Sequence, residues 1–244
     1  MVVGDHILYP HTVSISGIFT RLTQTNPHIR SLIVYTDTLV CREAYADGNA
    51  VNEHLAAVGP LLGRILTAGV AELVSLHLSG PETEMAKIKP VTDPLGAVYT
   101  YTAEPGFTNI PANKMVGKEE LPNTFLTINP TFTVTDWDKV QKDVIEGLSE
   151  LAKTEAGCIY YYFAVNKEEN KLICREAYVD GEAVNAHLAN VGGPLGAAIE
   201  SGVLKVDSLV VTGPADHLEI AKKTCDDMGA VYHETVGGFV HYSL

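Results

Sequence analysis

The sequence predicts an α+β protein: two ferredoxin-like (split βαβ) domains fused in one chain as an intramolecular barrel. Three observations predict it. The stretch Cys41 to Gly59 returns at Cys174 to Gly192, 133 residues later, with 15 of 19 positions identical and no gap. That spacing is too long for a solenoid repeat and suits a duplicated domain. The second half alternates strand-like and helix-like periodicity in the order β-α-β-β-α-β, with an added α-β. Such a sheet has one bare face, and two copies packed bare face to bare face would bury both. The third observation is composition. Hydrophobic residues at 46% and charged residues at 19% suit a globular chain of 244 residues with a sizeable core.

The elements follow in order. Ile15, Ile18, Phe19 and Leu22 suggest a short first helix closed by Asn26-Pro27. Leu32 to Tyr35 and Leu39 to Tyr45 suggest a hairpin around Thr36-Asp37-Thr38. Val51, His54, Leu55, Val58 and Leu62 form one face of a helix. Leu73 to Leu78 reads as a strand, after which Pro90 and Pro94 should break the added helix. Glu104 to Asn123 is rich in Pro, Gly and polar residues and reads as a linker. The expected boundaries are therefore 1–103, a linker at 104–123, and 124–244.

In the second half, Phe125 to Thr135 reads as a strand and Asp136 as an N-cap. Trp137, Val140, Val144, Leu148 and Leu151 mark a long amphipathic helix. Cys158 to Val165 and Lys171 to Tyr178 form a hairpin across a polar turn. Asp180 caps the next helix, whose inner face carries Val184, His187, Leu188, Val191 and Leu195; Gly192-Gly193-Pro194 should interrupt it. Asp207 to Thr212 is a strand, Pro214 opens another helix, and Ala230 to Thr235 is a terminal strand.

A net charge of −13 disfavours nucleic acid and anionic membrane surfaces as partners. No apolar run reaches the roughly 20 residues needed to span a bilayer, and no secretory signal is visible, so the expected location is cytoplasmic. Cys41, Cys158, Cys174 and Cys225 include no CxxC pair and are expected as buried thiols in a reducing compartment.

Candidate site residues come from the repeat. His187 and His54 sit on apolar helix faces, either as core histidines bonded to a neighbouring strand or as groups poised for proton transfer. Glu176 and Glu43 share a strand face with Tyr178 and Tyr45, since residues two apart point the same way. Arg175 and Arg42 point to the opposite face. A Glu–His pair would make a proton-shuttling unit; a structural carboxylate is the other reading. Asn185 and Asn52 flank the histidines and could orient a substrate oxygen or stand exposed. Trp137 is a core anchor or a cavity wall, and Tyr160, Tyr161 and Tyr162 alternate across a strand. No G-x-G-x-x-G, P-loop or nucleophile elbow occurs, and the histidines lack metal-ligand spacing, so neither cofactor nor metal is expected.

Pro130 to Thr135, Glu155-Ala156-Gly157-Cys158-Ile159-Tyr160-Tyr161 and the repeated Arg-Glu-Ala-Tyr-x-Asp-x-x-Ala-Val-x-x-His-Leu carry a family resemblance. Together they resemble the antibiotic-biosynthesis-monooxygenase (ABM) domain family of the dimeric α/β-barrel superfamily. The likeness spans the second half and, more weakly, residues 13–103. It implies a small cavity in each domain, between helices and sheet. Members include cofactor-independent oxygenases of quinols and polyketides, haem-degrading enzymes and isomerases. The Asn, Trp and His set of the haem-degrading branch is not found here, which disfavours haem.

The expected function is a cofactor-independent monooxygenase of a small phenolic or enolisable substrate. In it His187, held by Glu176, removes a proton, and Tyr178, Asn185 and Trp137 shape the cavity, with Tyr45 and Asn52 in the equivalent places of the first half. A non-catalytic binding or structural barrel is the alternative, and an isomerase of a small phosphorylated ligand a third. The chain is expected to be a monomeric pseudo-dimer or a homo-oligomer of it.

Overall fold

Alternation of apolar residues makes Leu126–Val134 a strand (β5) with one face buried, and it organises the larger of two compact units. The computed structural model describes residues 13–21, 38–109 and 125–237. These fall into one unit within Tyr9–Tyr101 and a second that contains Thr102–Leu244.

In the second unit β5 pairs antiparallel with β7 (Lys171–Tyr178) on one side and β8 (Leu204–Gly213) on the other. Strand β6 (Cys158–Asn166) pairs antiparallel with β7, and β9 (Val231–Glu234) runs parallel beside β8. The order β6-β7-β5-β8-β9 follows, a split βαβ sheet with one strand added.

Helices cover one face. The first opens with Trp137–Lys139 (α3), widens into π turns over Val140–Glu146 and closes as Gly147–Ala152 (α4). Widening brings the adjacent residues Val144 and Ile145 both into the core with Val140 and Leu148. Helix α5 (Gly181–Glu200) starts at Asp180, whose side chain accepts from the Ala183 N–H. Helix α6 (Ala215–Cys225) packs beside it, and Gly229 at φ 71 ends the short turn that follows.

In the first unit β1 (Val13–Arg21) pairs antiparallel with β2 (Thr38–Tyr45) and β3 (Ala71–Gly80). Strand β4 (Val98–Thr108) begins parallel to β3, giving the order β2-β1-β3-β4. Helices α1 (Gly48–Thr67) and α2 (Glu82–Thr92) belong to this unit, around a small core of Val51, Leu76, Leu78, Met85 and Ile88.

Three sequence expectations change and one falls where nothing tests it. Residues 15–21 form strand β1, because β-branched Val13, Ile15 and Ile18 favour extended backbone and Gly17 weakens a helix interior. The hairpin strand Leu32 to Tyr35 lies outside the described residues. Helix α5 continues through Pro194, where two preceding glycines carry no side chains to crowd its ring. Pro90 likewise sits inside α2, and Pro94 falls in the 3-10 turn after it.

The third change concerns residues 104–108, which are strand rather than linker, while 110–123 of the expected linker lie outside the described residues. Phe107 is 3% exposed within the second unit's core, and Ser149 donates to the Pro105 carbonyl at 3.1 Å. All four cysteines are free thiols, three of them buried and Cys41 half-buried.

Candidate functional site

Period-two alternation along β7 places Cys174, Glu176 and Tyr178 on the face beneath α5, all three buried. Asp180 then turns the chain into α5, and His187 enters the core from that helix, 2% exposed, between Val184 and Val191. The imidazole is held at both ends. Its Nε2 lies 3.2 Å from Glu176 Oε2, and its Nδ1 lies 2.9 Å from Glu155 Oε2. Tyr178 Oη donates to Glu176 Oε2 at 2.5 Å. The rings of Tyr178 and Tyr161 lie 4.9 Å and 5.5 Å from the imidazole centroid.

Glu155 has no role in the sequence reading. It sits in the turn between α4 and β6, fixed by its own N–H to the Ala152 carbonyl and by Cys158 N–H to its carbonyl. Gly157 lets this turn approach α5: a Cβ there would lie 2.4 Å from Ala183 Cβ. Asn190, one helical turn after His187, donates to Glu155 Oε1 at 2.8 Å. With a side chain 11% exposed against 5% for Glu176, Glu155 is the carboxylate nearer solvent. A turn residue leaves no periodic signal, so only the quoted family string touched it.

Burial works against a charged His187, but Glu176 and Glu155 outweigh it and raise the ring's pKa. Burial pushes the Glu176 carboxyl above its ordinary range, opposed by His187 and by hydrogen bonds from Tyr178 and Cys174. Both directions mean that the pair retains a proton to higher pH than either group would alone. Burial also lifts the Tyr178 phenol well above its usual value, leaving it a neutral donor.

The first unit repeats the motif more openly. Glu43 lies 3.5 Å from His54 Nε2, their side chains 27% and 30% exposed. Tyr45 Oη donates to Glu43 Oε2 at 2.7 Å, and the Cys41 thiol donates to Oε1 at 3.1 Å. Burial, with Glu43 beside it, pushes that thiol up to about 12.

The remaining predicted residues lie elsewhere. Asn185 bridges two helices, donating to the Ile220 carbonyl at 3.2 Å and accepting from Thr224 at 2.6 Å. Asn52 donates to the Lys87 carbonyl at 3.1 Å in the same way. Trp137 stands at the β6–β7 turn, where its Nε1 donates to Asn170 at 3.4 Å and Lys167 lies over its ring. It packs on the second unit's core from there. Two surface hollows are lined by Pro60, Gly63 and Arg64, and by Lys139, Asp143 and Pro194; neither is lined by His54 or His187. Among the described residues no group of acidic, His and Cys side chains is arranged to hold a metal ion, and no helix is long and apolar enough to cross a membrane.

No protein-family model matches the chain, and no curated protein matches it. Among solved structures, a Fusobacterium nucleatum protein described as a "putative monooxygenase" is 12% identical with a TM-score of 0.50. The match covers 82% of this chain and 90% of that one. This likeness shows the fold. MupZ from Pseudomonas fluorescens is 24% identical over 48% of this chain and 95% of its own, with a TM-score of 0.44. An anthrone oxidase-like protein is 11% identical over 83% of this chain and 80% of its own, with a TM-score of 0.35. The chain shares its α+β fold with that Fusobacterium nucleatum protein.

Proposed function

We propose that the protein is a cofactor-independent, monooxygenase-like enzyme of a small phenolic or enolisable compound. Glu155, His187, Glu176 and Tyr178 form its proton-handling centre. The supporting observation is the buried imidazole clamped between two carboxylates, with Glu155 as the member nearer solvent. Both ring nitrogens are engaged, so the proton acceptor is Glu155 rather than His187. A substrate hydroxyl takes the place of the Glu155 carboxylate at Nδ1, and the displaced carboxylate takes the hydroxyl proton. The His187 cation, backed by Glu176, then faces the phenolate and holds its charge. The electron-rich ring carbon reduces dioxygen. One oxygen atom stays on that carbon as a carbonyl, the other leaves as water, and a CH2 group loses both hydrogens.

The two units are, in this reading, copies of one ABM-like domain, supported by 15 identical positions of 19 in the repeat. The match over 82% of the chain, more than either unit holds, supports it too. Four free thiols suit a reducing compartment, in keeping with a cytoplasmic location. The test is an oxygen electrode with a panel of quinols and phenolic methylene compounds. Glu155→Gln and His187→Gln should each lower oxygen uptake by about 10²–10⁴-fold. Undiminished uptake in Glu155→Gln would remove it from the chemistry.

A second reading, a non-catalytic binding or structural protein, is favoured by one observation. His187 is 2% exposed, and the two hollows lie away from it. No oxygen uptake by the wild type across the panel, with a large loss of stability in His187→Gln, would select this reading.

A further inference from the structure

The Glu155 carboxylate has a second tether besides His187. Asn190, three residues after His187, lies on the same side of α5. Its amide nitrogen donates to Glu155 Oε1 at 2.8 Å and to the Leu151 carbonyl at 3.3 Å. Both partners are acceptors, which settles the way the amide points. The Leu151 carbonyl already accepts from the Thr154 N–H at 3.0 Å and from Thr154 Oγ1 at 2.7 Å, so it does not need Asn190. Glu155 does: among the described residues its carboxylate is held by His187 and Asn190.

The two oxygens of Glu155 are unequally engaged. Oε2 lies 2.9 Å from His187 Nδ1, whereas Oε1 lies 3.1 Å from Nδ1 and also takes the Asn190 hydrogen bond. A carboxylate that lets go of Nδ1 therefore stays anchored at Oε1. Asn190 is exposed, while the side chains of Glu155 and His187 are 11% and 2% exposed, so the tether stands at the solvent end of the cluster. The repeat singles it out as well. The two copies differ at Val179, Glu182, Ala186 and Asn190, and of these it is Asn190 whose side chain bonds to the cluster. Ala57 stands at the matching place in the first unit and has no group to hold a carboxylate.

We propose that Asn190 is a positioning residue of the proton-handling centre, tethering Glu155 Oε1 so that the carboxylate turns about this anchor when a substrate hydroxyl takes its place at His187 Nδ1. The displaced carboxylate then stays within reach of the hydroxyl proton instead of swinging into water. The role rests on the reading of Glu155 as the proton acceptor. Asn190 itself touches neither the substrate nor the reacting carbon.

The experiment compares the full-length wild type with Asn190→Ala, the residue carried by the first copy, and Asn190→Asp, which keeps the shape and removes the N–H donor. Circular dichroism establishes that each is folded. The first readout needs no substrate: exchange of the His187 Nδ1–H proton with water, followed by NMR, should quicken about tenfold in both variants, the scale of one hydrogen bond to a charged group. The second is oxygen uptake on the quinol and phenolic panel, where kcat should fall about tenfold and KM should not rise. Unchanged proton exchange in both folded variants overturns the tether. Quickened exchange with unchanged kcat, or a risen KM with kcat intact, overturns its part in the chemistry. No uptake by the wild type ends the oxygenase reading instead, and the exchange rates then decide by themselves whether Asn190 positions Glu155.

Discussion

At the residue scale His187 carries the sharpest expectations. His187→Gln leaves Glu155 and Glu176 facing each other with no cation between them, and should cost about 3–5 kcal/mol in chemical denaturation. Glu155→Gln keeps a polar partner at Nδ1 and should cost less, about 1–3 kcal/mol. Because the folded-state pKa of His187 is raised, its stabilisation is complete below the unfolded value of 6.5 and is lost as pH climbs through the folded value. Glu176, also raised, acts in the same direction from 4.5 upward, since the folded state again holds the extra proton. Denaturation midpoints should therefore fall from neutral to alkaline pH, and the slope should flatten in His187→Gln. Glu176, Tyr178 and His187 were legible because strand and helix periods place them on facing surfaces. Glu155 was not, since an irregular turn has no period. Asn185 was misplaced because its partners, Ile220 and Thr224, lie on a helix far along the chain.

At the scale of elements, the turn and cap that deliver the cluster can be tested separately. Gly157→Ala forces a Cβ to 2.4 Å from Ala183 Cβ, so either the turn or α5 must shift. Overpacking of this kind costs about 1–3 kcal/mol and should also withdraw Glu155 from His187, visible as a changed imidazole signal in NMR. Asp180→Ala removes the acceptor of the Ala183 N–H and should cost about 1 kcal/mol in the same denaturation assay, with that signal retained. Element type was readable wherever a period ran long, as in β7 and α5. Residues 15–21 were misread because four apolar positions satisfied a helical spacing while the local preference was for strand. The widened turns at Val140–Glu146 altered which residues face inward, which the regular period could not convey.

For the whole molecule, the division into units differs from the one that punctuation suggests. Pro105 and Gly106 read as linker, yet the strand running through them carries Phe107 into the second unit's core. Gly106 is needed there for contact rather than looseness, since a Cβ would meet the Tyr162 ring at 2.2 Å. A fragment 124–244 should therefore be less stable than 102–244 by about 3–5 kcal/mol, the scale of removing a buried phenylalanine. Comparing their urea midpoints checks this. Composition and the repeat revealed the α+β class and the twofold organisation of the text. The point of division was hidden because a long-range contact sets it.

The motif written twice gives this chain its own internal reference. Nearly the same residues surround His54 and His187 in sequence, yet one imidazole is 30% exposed beside Glu43 and the other is enclosed between Glu155 and Glu176. Any difference between the two rings in one sample is thus a difference of surroundings alone, at common temperature, salt and protein concentration.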